Sequence, residues 1–136
     1  MRVVLLALLL CVCAPACFLT VDTAPAEAEV ERFHRLLDEG RFQEFYAATG
    51  DEFKAASKQE EFVSILDAVH RKLGAVQKCE KTRTDTNISN RGNSVGLTYQ
   101  TTFAEGPATE RFQFHFVDGK PVLVGYNVNS NLLITK

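Results

Sequence analysis

The feature that most constrains this chain is a change of hydrophobic period at Gly74. Before it, Phe62, Ile65, Leu66, Val69 and Leu73 recur at the i, i+3, i+4, i+7, i+11 spacing of one helical stripe. After it, Val95, Leu97, Tyr99, Thr101 and Phe103 alternate with polar or small residues, the period of a half-buried strand. The order predicts an α+β domain in which three N-terminal helices pack on a four-stranded antiparallel sheet. The 136 residues suit one such domain.

The remaining elements follow from local signals. Thr23 and Pro25 start a helix, Val30, Phe33, Leu36 and Leu37 form its apolar side, and Gly40 stops it. A second short helix over residues 41–48 carries Phe42, Phe45 and Tyr46, and residues 51–57 read as a connector presenting Phe53. Ser57-Lys58-Gln59-Glu60 has the form of a capping box for the third helix. Strands are predicted over residues 75–87, over 95–103, around Phe112, Phe114 and Phe116, and around Val122, Val124, Tyr126 and Val128. A three-residue loop of Val117, Asp118 and Gly119 would pair Phe114 with Val122 and Phe112 with Val124, keeping the apolar residues on one face. The opposite face would bear Thr98, Gln100, Thr102, Arg111, Gln113 and His115. The tail through Leu132, Leu133 and Ile134 extends the last strand or docks on the domain.

The N-terminus is a different kind of sequence. Met1-Arg2 supplies a positive charge, residues 3–12 are unbroken apolar, and Ala14-Pro15-Ala16 follows. This is the pattern of a secretory signal peptide, and the apolar run is short of the roughly 20 residues of a membrane span. Residues 1–26 are therefore expected to be a signal peptide, cleaved after residue 16 or 26, with any remainder serving as a tether, and residues 27–136 to be the domain. Ala16-Cys17 offers a relaxed lipobox, which makes Cys17 the candidate for lipidation. The expected location is the periplasm or the outer membrane, with membrane contact only through such a lipid anchor. Cys79 is the one cysteine certain to remain after cleavage, and it reads as a small half-buried strand residue.

Taken in order, Asp38-Glu39-Gly40-Arg41-Phe42, Phe53-Lys54, Arg71-Lys72-Leu73-Gly74, Asp118-Gly119-Lys120 and Val124-Gly125-Tyr126 resemble the bacterial "domain of unknown function 4019" family over residues 27–129. The resemblance implies an exported protein with a cystatin-like or NTF2-like α+β architecture. It implies no activity.

Chemistry is sparsely signalled. Fifteen Lys and Arg stand against seventeen Asp and Glu, a net charge of −2 with both signs interspersed, which argues against a nucleic-acid partner. His34 with Asp38, and Asp67 with His70, share helix faces but fall short of a metal ligand set, and no cofactor is expected. Asn87-Ile88-Ser89 is a chance match to a glycosylation acceptor. The Gln-x-Val-x-Gly tip of the inhibitory cystatins is missing. An NTF2-like pocket enzyme would use Tyr99, Tyr126, His34 and His70 as acid–base groups, but no carboxylate is expected at the inward positions of the last three strands. The preferred expectation is a non-catalytic domain that binds a protein partner or a small apolar ligand. Arg111, Gln113 and His115 are its candidate contact residues, and the same face could pair two copies of the chain.

Overall fold

A computed structural model describes residues 20–135; the candidate lipidation site Cys17 and most of the segment expected to be a signal peptide lie outside the described residues. The helical half contains α1 (Ala24–Asp38), α2 (Phe42–Ala47), α3 (Asp51–Ala56) and α4 (Gln59–Leu73). The extended half contains β1 (Val76–Ser89), β2 (Gly92–Phe103), β3 (Pro107–Val117) and β4 (Lys120–Asn129), followed by a one-turn α5 (Leu132–Thr135). The sheet is an antiparallel meander in the order β1-β2-β3-β4. The architecture is thus the α+β one that the change of period predicts, with more than three helices.

Helix α1 has Pro25 in its first turn, and it buries Ala26, Val30, Phe33 and Leu37 at i, i+4, i+7 and i+11. Residues 51–57 are not a plain connector, because Asp51–Ala56 forms α3. Its acidic first turn suits the positive end of a helix, and Phe53 anchors it against Phe62, with ring centroids 4.8 Å apart and nearly perpendicular. Gly50, just before α3, donates its N–H to the Leu123 carbonyl of β4 at 3.1 Å. A side chain there would meet Val122 Cγ1 at 2.8 Å, so glycine permits this close approach.

The capping box at Ser57 does not form. Ser57 closes α3 instead, its N–H bonded to the Phe53 carbonyl at 2.9 Å, and Lys58 occupies the N-cap of α4 without a side-chain cap. Phe62, Leu66, Val69 and Leu73 of α4 are buried as the stripe predicts, but Ile65 is 51% exposed at its margin. Gly74 terminates the helix with φ 76° and ψ −162°, a conformation essentially reserved to glycine.

The β3–β4 register also differs from expectation. The loop is the two residues Asp118 and Gly119, both at positive φ, which suits the tight hairpin turn whose twist matches the strands. Phe114 therefore faces Leu123, and a bulge follows at Val124 before Gln113 pairs with Gly125 and Phe112 with Tyr126. The apolar residues are kept together by the bulge rather than by the loop. Leu123, 5% exposed, enters the core in place of Val122 and Val124. The tail docks as α5 against α4, with Lys72 donating to the Leu133 carbonyl at 2.7 Å. Among the described residues, no helix is long and apolar enough to cross a membrane.

The inward sheet face, the buried sides of α1, α2 and α4, and Phe53 of α3 form one core. Phe33 is its hub, with the rings of Phe45, Phe112 and Tyr126 at 4.7, 5.1 and 4.7 Å.

Candidate functional site

A carboxylate does lie in the core, contrary to the expectation that the inward strand positions carry none. On β3 the inward positions are Ala108, Glu110, Phe112 and Phe114, two apart, so Glu110 shares the parity of the phenylalanines and is wholly buried. It is tenable there because both of its oxygens have partners. The Thr101 hydroxyl donates to Oε2 at 2.6 Å, and the Tyr126 hydroxyl donates to Oε1 at 2.7 Å. Nε2 of His34 lies 2.6 Å from Oε2. His34 is thus not a boundary residue; α1 delivers it into the core at 6% exposure. Among the described residues, no buried side-chain polar atom is left without a partner.

The phenol of Tyr126 is held well above its ordinary range, first by burial and then by the neighbouring Glu110 charge, so it serves as a neutral donor. Tyr99 stands directly opposite Glu110 in the β2–β3 ladder, and burial is the main cause that pushes it up to about 12. His70 is outside this network, edge-on to the Phe42 ring. The acid–base residues named from sequence are therefore only partly brought together: His34 and Tyr126 meet on Glu110, whereas His70 does not join them.

Tyr126 also lines a cleft of about 230 Å³, together with Phe53, Phe62, Ile65 and Val124. A second cleft of about 250 Å³ continues along the α4–β4 seam, lined by Ile65, Ala68, Val69, Lys72, Val128 and Leu133. Ile65 belongs to both and stands between them. Apart from Lys72 every side chain of this groove is uncharged, and nearly all are apolar.

The candidates on the other sheet face are spread out. Gln113 lies between Gly96 and Gly125, its directly paired neighbours on β2 and β4. Arg111 is exposed, 3.9 Å from Asp85, and His115 pairs with Glu52 at 3.0 Å. Arg111 and Gln113 border a shallow depression with Asn127, whereas His115 borders a separate one at the β1–β2 hairpin tip. The structure does not gather the three into one site. Cys79 is a free, half-buried thiol pushed up mainly by burial. Among the described residues, no cluster of three metal-ligating side chains occurs.

A family model described as a protein of unknown function, DUF4019, matches residues 29–126. Comparison with curated proteins returned no match. A solved protein from Catenulispora acidiphila is similar in fold at 20% identity, covering 78% of this chain and 88% of its own, with a TM-score of 0.51. Aln2 from a Streptomyces species is 16% identical over 85% of this chain and 97% of its own, with a TM-score of 0.49.

Proposed function

We infer that this chain, which belongs to the DUF4019 family of proteins of unknown function, is a non-catalytic binding domain that takes a small apolar ligand in the groove between α4 and β4. The observation that carries this reading is the pair of apolar clefts that share Ile65, one of them lined by Tyr126. Ligand pockets span roughly 300–1,000 Å³. Each cleft alone falls below that range, so a ligand filling this site lies across Ile65 and uses both. The exposed Ile65 and the docked α5 leave the groove apolar and open, whereas His34, Glu110 and Tyr126 of the core are already bonded to one another.

The test is a fluorescence titration of the purified protein with N-phenyl-1-naphthylamine, a neutral apolar reporter. Saturable enhancement is expected, weakened roughly tenfold by Ile65→Arg. Ile65 is exposed, so that variant should fold as the parent does. Absence of saturable enhancement, or equal binding by Ile65→Arg, would overturn the reading.

An NTF2-like pocket enzyme with Tyr/His acid–base chemistry has one observation in its favour: the line from the groove through Tyr126 Oη and Glu110 to His34. Tyr126→Phe separates the two, since it keeps the ring and removes the hydroxyl. The binding domain retains its reporter affinity in that variant. Export to the cell envelope, with Cys17 as acylated N-terminus, accompanies this proposal on the strength of the N-terminal sequence. The intact mass of the native protein tests it, with added diacyl or triacyl groups as the expected result.

A further inference from the structure

We propose that the occupant of this groove is a linear amphiphile, an acyl chain whose monoanionic head meets Lys72. The inference rests on the apolar-ligand reading above and adds the shape and the charge of the ligand. Shape comes from the helix. Phe62, Ile65, Val69 and Lys72 follow one edge of α4, and at about 1.5 Å of rise per residue the edge runs about 15 Å from Phe62 to Lys72. A groove of that length, formed of two small clefts end to end, fits an extended chain better than a compact ring system. Ala68, Val128 and Leu133 line the second cleft with small or apolar side chains.

Charge comes from Lys72, the one charged side chain lining either cleft among the described residues. Its ammonium donates one hydrogen bond, to the Leu133 carbonyl at 2.7 Å, and so has two donors to spare. Its neighbour Arg71 is neutralised by Asp67 at 2.7 Å. Lys72 pairs with no carboxylate among the described residues. It is half-buried and lines the α4–β4 cleft, a placement that suits a lysine covering apolar surface with its stem while its head reaches water. A single unneutralised cation at one end of an apolar groove is complementary to a single anionic head on an apolar chain. It disfavours a cationic head of equal chain length.

Displacement of N-phenyl-1-naphthylamine by decanoate and by 1-decanol, both below micelle formation, tests the proposal. The two share one chain and differ in the charged head. The ratio of their affinities should shift about tenfold against decanoate in Lys72→Met, about 1.4 kcal/mol. It should be retained in Lys72→Arg, which keeps the charge. An unchanged ratio in Lys72→Met overturns the assignment of the head to Lys72 while leaving the apolar-ligand reading intact. Failure of both decyl compounds to displace a reporter that does bind overturns the acyl chain. Failure of the reporter itself to bind overturns the underlying reading.

Discussion

Nε2 of His34 stands 2.6 Å from Oε2 of Glu110, joining α1 to β3 through a carboxylate that no solvent reaches. Removing Glu110 leaves His34, Thr101 and Tyr126 without their shared partner, and each buried polar group so stranded costs about 1–3 kcal/mol. Glu110→Leu is therefore expected to cost about 3–5 kcal/mol, comparable to breaking a buried ion pair. Tyr126→Phe removes a single hydrogen bond to the carboxylate and should cost about 1.5–3 kcal/mol. The double variant His34→Leu with Glu110→Leu should lose less than the two single losses combined, because replacing both partners strands fewer groups. Urea unfolding of the four variants measures this. Strict additivity would show that the pair is not energetically coupled.

The two inward tyrosines predict an alkaline limit. Burial raises Tyr99 to about 12 and Tyr126 well above 10, the Glu110 charge acting second on Tyr126. In the unfolded chain both lose their protons near pH 10, while the folded state retains them. The folded state then binds more protons, so stability is complete below about pH 10 and falls as pH rises above it. Each tyrosine contributes a slope of about 1.4 kcal/mol per pH unit in that window. Urea midpoints taken from about pH 9 upward should fall with pH. The fall should be flatter in Tyr99→Phe and in Tyr126→Phe. A parent protein whose stability is level through that range would contradict both assignments.

The elements were legible in the sequence where one signal spoke alone. The stripe from Phe62 to Leu73 and the alternation from Val95 to Phe103 each imply their element without help from the rest of the chain. Glu110 was harder to read. Its parity with Phe112 is visible, but parity fixes the face and not the depth, and a carboxylate is ordinarily placed outside. What makes it tenable is His34, 76 positions away, and no local pattern links the two. The β3–β4 register failed for a related reason. Loop length and bulge position can each keep the phenylalanines on the core face, and the choice between them rests on Leu123 and on the fit of the Asp118-Gly119 turn. Ser57 carries a helix-start signal, yet α3 takes it as a helix end, a competition between neighbours that a capping motif does not record. For the site, Arg111, Gln113 and His115 were correctly placed on the outer face, but the groove arises from contacts between α4, β4 and α5 that spacing does not show.

The residues just before Glu27 are part of the domain's packing. Ala26 is completely buried and Val21 packs against the core. Asp22 accepts the N–H of Ala24 at 3.0 Å, and the Thr23 hydroxyl donates to Glu27 at 2.8 Å. Glu27 in turn is held below its ordinary carboxylate range, chiefly by its hydrogen bond to Lys81 and next by Thr23. Cleavage after residue 26 removes the first turn of α1 together with all of these partners except Lys81. Cleavage after residue 16 keeps them. Loss of the Thr23 hydrogen bond to Glu27 costs about 1 kcal/mol and the exposed apolar surface adds a comparable amount, so a chain starting at Glu27 should be about 2 kcal/mol less stable than one starting at residue 17. Urea unfolding of the two, with Cys17→Ser in the longer to prevent acylation, gives the comparison. Equal stability would show that the segment before Glu27 adds nothing to the domain, whereas the expected deficit would show that it keeps α1 whole.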